Sequence, residues 1–210
     1  MKIILAGEKN ETIDIGEDES LFDLLKRIHK DDYTKYLGIK VNNKLQGLQG
    51  AKFKENDVIE FIDISDKDGN RIYVRTLTLI YIKACKDIFD QIDVCIVNSL
   101  SKGLYTELRN KHMLDNQQLE KIKVRMQEII DQKRPINSKL MKVERAMEIF
   151  KKQNLEDKIE LLTQWDKKDI RICELDGYYD TFYGYLAPNT EFVKGRNFPK
   201  FLRKLKIGGR

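Results

Sequence analysis

Few side chains of this sequence could do chemistry, and they are scattered. Two histidines, His29 and His112, and three cysteines, Cys85, Cys95 and Cys173, supply every imidazole and thiol. His29 closes an apolar-periodic helix, where a cation would favour the helix dipole. His112 sits in a polar loop, and both read as ordinary surface. Each cysteine lies in an apolar run and none forms a Cys-x-x-Cys pair, the pattern of buried thiols in a reducing cytosol. No metal site and no cofactor is expected. There is no Gly-x-x-x-x-Gly-Lys-Ser/Thr loop, so these residues do not bind ATP in P-loop fashion. Asp180, Glu107 and Tyr183 are the remaining candidates for acid-base work. Arg75 offers something else: a guanidinium that stays protonated and whose fork meets two oxygens of a phosphate or carboxylate at once.

A second chemistry-bearing feature is charge. The 210 residues hold 39 basic and 34 acidic side chains, net +5. From residue 192 onward there are seven basic residues and no acidic one, so the rest of the chain is slightly acidic. Lys200, Arg203, Lys204 and Lys206 in this cluster are candidates for contacts to an RNA backbone; a solvated tail explains the same residues. Hydrophobic residues make up 41% of the chain and charged residues of both signs 35%, which suits a packed globular protein rather than a disordered one. No run approaches the ~20 apolar residues of a membrane span, and a cytoplasmic location with no membrane partner is expected.

The elements that must position these residues fall into two groups. Lys2 to Leu5 and Thr12 to Ile15 read as a hairpin. Ser20-Leu21-Phe22-Asp23 opens a helix with Leu21, Leu24, Leu25 and Ile28 on one face. Leu37 to Val41 and Asp57 to Ile64 read as strands, with Asn42-Asn43 as a turn tolerant of positive φ. Ser65 to Asn70 is a polar turn and the expected domain boundary. After it, Tyr73 to Phe89 is a helix with Leu77, Ile80, Ala84 and Ile88 inward. Strands at Ile92 to Val97 and Gly103 to Leu108 come next, then a long helix capped by Asp115 and ending at Pro135. Val143 to Gln153 and Leu155 to Trp165 read as further helices, and Ile170 to Leu175 and Tyr178 to Tyr183 as strands. The expected class is α+β: a β-grasp, ubiquitin-like domain over 1–66 and an α+β domain over 67–210.

The first part resembles the TGS domain of threonyl-tRNA synthetases and of stringent-response and GTPase proteins, through Ile39-Lys40-Val41-Asn42-Asn43-Lys44-Leu45 and Asn56-Asp57-Val58-Ile59-Glu60-Phe61. The second resembles the editing domain that comes after TGS in threonyl-tRNA synthetases, through Arg75-Thr76-Leu77-Thr78-Leu79-Ile80 and Asp180-Thr181-Phe182-Tyr183-Gly184-Tyr185-Leu186-Ala187-Pro188-Asn189-Thr190. That family carries His-x-x-x-His in the first segment and Cys-x-x-x-His in the second. Here the matching positions are Arg75 and Leu79, then Phe182 and Leu186. None of these can act as a base or ligate a metal as imidazole and thiolate do.

The resemblance therefore implies a kept scaffold without its hydrolytic groups. Certain bacterial uridine kinase-like proteins carry such a pair of domains ahead of a P-loop kinase. A non-catalytic binding or regulatory region of that kind, with a downstream catalytic domain as partner, is the first reading. The alternative is the editing region of a threonyl-tRNA synthetase hydrolysing mischarged tRNA. In either case the pocket is expected to gather Arg75, Tyr105, Asp180 and Tyr183 around tRNA, another RNA or a nucleotide. A plain Arg75–Asp180 ion pair with tyrosines packed about it is the simpler expectation.

Overall fold

The computed structural model describes residues 1–7, 9–89, 94–100, 103–108, 115–194 and 205–208. Strands β1 (Lys2–Leu5), β2 (Glu11–Asp14), β3 (Tyr36–Val41), β4 (Lys44–Gln46) and β5 (Val58–Asp63) form one sheet in the order β2-β1-β5-β3-β4. The β1–β5 pair is parallel and the others are antiparallel. Helix α1 (Leu21–His29) packs Leu21, Leu24 and Leu25 into the core with Ile3, Ile39 and Ile59. The capping box read from the sequence is present: Ser20 Oγ accepts from the Asp23 N–H, and Asp23 accepts from the Ser20 N–H. Such a cap stabilises a helix by about 1 kcal/mol. His29 is no free surface group. It stands in the last turn of α1, as the sequence suggests, but half-buried, with its ring centre 4.1 Å from that of Tyr36 at a tilt of 37°, and burial lowers its pKa. His112 lies outside the described residues.

Helix α2 (Lys67–Ile88) begins six residues earlier than the periodicity indicates. Asp66 is the reason, since its carboxylate accepts from the backbone N–H groups of Asp68 and Gly69 and turns the polar stretch into a first helical turn. Gly69 permits the approach: a Cβ there would lie 1.8 Å from the Asp63 carbonyl oxygen. The middle of α2 is buried on all sides, from Thr76 through Ile82, rather than along one stripe. It is covered on one side by β3 and β5 and on the other by helix α3 (Asn116–Asp131) and the 3-10 turn Thr190–Val193. One hydrophobic core runs through both parts, so α2 joins the first sheet to the second half of the chain.

Strands β6 (Val94–Leu100) and β7 (Gly103–Leu108) pair as the sequence indicates. The long helix α3 stops at Asp131, four residues short of Pro135. Strand β8 (Asn137–Lys142) has no counterpart among the expected elements; five of its six residues are exposed, so no alternation marks it. Helices α4 (Val143–Lys152) and α5 (Glu156–Thr163) then lead to β9 (Asp169–Leu175) and β10 (Tyr178–Asp180), and the second sheet runs β10-β9-β8. A short strand β11 (Leu205–Gly208) adds in parallel to β7. The architecture is mixed α+β. No helix among the described residues is long and apolar enough to cross a membrane.

Candidate functional site

Helix α2 turns Arg71, Arg75, Thr78 and Ile82 toward β10 and the segment after it, at the spacing of one helical face. Between them lies a cavity of about 420 Å³, closed on the far side by Lys158 of α5 and by Asp180 to Tyr183. Arg71 is held by Asp68 at 3.0 Å. Arg75, half-buried, has neither an ion pair nor a hydrogen bond among the described residues. Burial lowers its pKa, opposing the charge, with Arg71 adding repulsion. Its guanidinium lies against Gly184, where a Cβ would come within 2.8 Å and where φ is +119°. The chain passes so close only because glycine has no side chain and accepts that φ.

Asp180 does not pair with Arg75, contrary to the simpler expectation. The carboxylate is fully buried, and its partners come from α5 and its own strand. Lys158 Nζ lies 3.0 Å from Oδ1, the Thr181 N–H donates to Oδ1 at 2.6 Å and Tyr178 Oη donates to Oδ2 at 3.1 Å. Burial works against the Lys158 charge, but the Asp180 carboxylate outweighs it, so the lysine pKa is raised. Burial and the adjacent carboxylate push the Tyr178 hydroxyl well above its usual range. Cys173, whose thiol donates to the Asp180 carbonyl oxygen, is likewise pushed up by burial, and burial raises Cys85 to about 12. Both thiols are therefore protonated and inert at neutral pH.

The four positions matched to the family's histidines and cysteine separate. Arg75 and Phe182 line the cavity, whereas Leu79 and Leu186 belong to the core, with Leu79 fully buried. The Leu186 to Thr190 segment is structural. The Ala187 N–H donates to Thr76 Oγ1 at 3.0 Å, the Ile136 N–H donates to the Pro188 carbonyl, and Thr190 exchanges hydrogen bonds with Arg134 and donates to the Ile129 carbonyl. Asn189 caps the Thr190–Val193 turn by accepting from Glu191 N–H.

Of the ligand-binding candidates, Arg75, Asp180 and Tyr183 therefore meet at one cavity, with Tyr183 at its lip and 91% exposed. Tyr105 is placed by its backbone on β7; its side chain lies outside the described residues, as do Lys200, Arg203, Lys204 and the side chain of Lys206 on β11. Glu107, the remaining acid-base candidate, is also on β7. Sequence reasoning misses Lys158. Its place in an ordinary charged helix, Glu156-Asp157-Lys158, carries no signal of the buried partner it meets. Among the described residues no group of three or more His, Cys, Asp or Glu is disposed to hold a metal.

No protein-family profile matches the chain. It is similar to the threonine–tRNA ligase of Natranaerobius thermophilus, 31% identical over 151 residues, covering 72% of this chain and 23% of that protein. The threonine–tRNA ligase of Desulforamulus reducens is 27% identical over 176 residues, 83% of this chain and 28% of the relative. That of Finegoldia magna is 26% identical over 170 residues, 79% and 26% respectively. The chain thus spans about a quarter of the length of the curated relatives it matches.

Proposed function

We propose that this chain is the editing-type, tRNA-contacting N-terminal region of a threonyl-tRNA synthetase-like protein. It comprises a TGS-like β-grasp domain over 1–66 and an editing-like domain over 67–210. The observation that carries the reading is the extent of the similarity to threonine–tRNA ligases. A 176-residue match is longer than either expected domain and must run through both. The first sheet supports the β-grasp assignment, since its parallel β1–β5 centre is flanked by antiparallel strands and covered by α1. These similarities favour the synthetase context over the uridine kinase-like one, for which the comparisons offer no support.

In this reading the Arg75 cavity receives the 3′ end of tRNA as a binding site. The imidazoles and thiol of the family's hydrolytic route are replaced by Arg75, Leu79, Phe182 and Leu186. Asp180, the one carboxylate at the cavity among the described residues, already accepts from Lys158, Tyr178 and Thr181, which leaves it little capacity to take a proton from water. The test is a filter-binding titration with threonine tRNA alongside a deacylation assay with seryl-tRNA. Saturable binding with deacylation at the background rate is expected. Deacylation above background, lost in Asp180→Asn, would make the site catalytic, and absence of tRNA binding would overturn the reading.

A further inference from the structure

A second cavity, of about 430 Å³, is lined by Thr181 to Gly184 and shares Thr181, Phe182 and Tyr183 with the first. Its other walls come from β8, the end of α5 with Trp165 after it, and the start of β9. It exposes apolar and aromatic surface that a folded protein would otherwise bury, with Leu140 66% and Leu161 47% exposed beside a half-buried Trp165. The Trp165 ring is held in place, because its Nε1–H donates to the Asp169 carbonyl at 3.4 Å. Phe182 and the outward Tyr183 complete an aromatic rim between the two cavities.

Two cations stand over aromatic rings at this rim. Lys167 Nζ stands 5.7 Å from the Trp165 ring centre, and the Arg171 guanidinium 5.6 Å from that of Tyr185. Neither has a carboxylate partner among the described residues. The two carboxylates that line the cavities are neutralised, Asp169 by Lys142 at 3.0 Å and Asp180 by Lys158. Arg75 is also unpaired among the described residues. Flat aromatic faces flanked by uncompensated cations match a single-stranded nucleic acid, whose bases stack on the rings and whose phosphates meet the cations. An acidic peptide would satisfy the charge but would leave the aromatic faces without a planar partner.

We infer that the Trp165 cavity binds an unpaired nucleobase of a single-stranded RNA end, which crosses the Thr181 to Gly184 segment and places a phosphate on Arg75. The inference rests on the tRNA-contacting reading and extends it to a second subsite. Trp165 is the sole tryptophan of the chain, so its fluorescence reports the site directly.

The experiment titrates the intact chain with a fluorescein-labelled RNA tetranucleotide, with the same RNA made abasic at its terminal nucleotides, and with whole tRNA. Stacking predicts quenching of Trp165 by the intact tetranucleotide and roughly tenfold to hundredfold weaker binding of the abasic one. Tyr183→Ala, which removes an almost fully exposed ring and leaves the fold untouched, should weaken tetranucleotide binding about tenfold. Trp165→Leu should do the same by anisotropy. Equal affinity for intact and abasic RNA, or whole-tRNA binding with Trp165 fluorescence unchanged, overturns the base site while leaving the tRNA reading standing. Quenching by the tetranucleotide with no binding of whole tRNA supports the base site and overturns the tRNA reading. Failure of both ligands to bind overturns both.

Discussion

Lys158 Nζ lies 3.0 Å from Asp180 Oδ1, and the aspartate is fully enclosed. This pair joins α5 to β10 beneath the cavity, and it is the only attachment of that carboxylate to another element among the described residues. Removing one partner of a buried pair costs more than the pair contributes, because the remaining charge is stranded. Lys158→Met is expected to destabilise the fold by ~3 kcal/mol, the low end for such a loss, since Tyr178 and Thr181 still donate to the carboxylate. Urea denaturation measures it, and a midpoint unchanged from the parent would refute the assignment.

The same pair sets a pH dependence. The folded-state pKa of Lys158 is raised above its unfolded value, so its contribution is complete below the unfolded lysine pKa of about 10.4 and is lost as pH rises through the folded pKa. Stability should hold through neutral pH and fall on the alkaline side above ~10. In Lys158→Met that part of the alkaline loss should disappear. Thermal melts across the alkaline range, compared between the two proteins, read it out.

Arg75 separates binding from folding. It has no ion pair to lose among the described residues, and its charge is partly desolvated. Arg75→Leu should change stability by less than ~1 kcal/mol, or raise it, while RNA binding drops. Destabilisation of several kcal/mol with binding intact would contradict both halves of that expectation. Gly184→Ala makes a sharper companion. In the parent, the new Cβ meets the guanidinium and the backbone is strained at φ +119°. In an Arg75→Ala background only the backbone strain remains, so a double-mutant cycle should return a coupling of about 0.5–3 kcal/mol.

Thr76 ties α2 to the Ala187 segment. Its hydroxyl donates to the Ile72 carbonyl and accepts from the buried Ala187 N–H. Thr76→Val keeps the shape but strands that N–H, for a cost of ~1–3 kcal/mol. Thr76→Ser should recover most of it. Equal urea midpoints for the two variants would show the bond to be unimportant.

The basic residues Lys200, Arg203, Lys204 and Lys206 are proposed RNA-backbone contacts on sequence grounds alone. If they neutralise phosphates, the logarithm of tRNA affinity should fall with the logarithm of salt by about 0.7–0.9 per phosphate. Changing all four to alanine should then flatten the slope. An unaltered slope would identify them as a solvated tail.

Local signals in the sequence determined a good deal about this protein. Ser20 and Asp115 marked helix starts because capping is a contact over three residues, which spacing reveals. The spacing of Leu21, Leu24 and Leu25 marked a helix with one buried face, whereas the alternation over Asp57 to Ile64 located β5 but not its burial, since Ile59 and Ile62, on opposite faces of the strand, are both buried. That Arg75, Leu79, Phe182 and Leu186 offer no imidazole or thiol is also plain in the sequence, since it depends on residue type alone. Tertiary structure decided the rest. Strand β8 pairs along β9 while exposing nearly all its side chains, so no hydrophobic period announces it. The burial of α2 on every side required knowing that a sheet covers one flank and α3 the other. Only the fold could bring Lys158, 22 residues before Asp180, to that carboxylate and leave Arg75 unpaired among the described residues. An ion pair is chosen by proximity in space, and a charged residue in a helix looks the same in sequence whether it faces water or a buried acid.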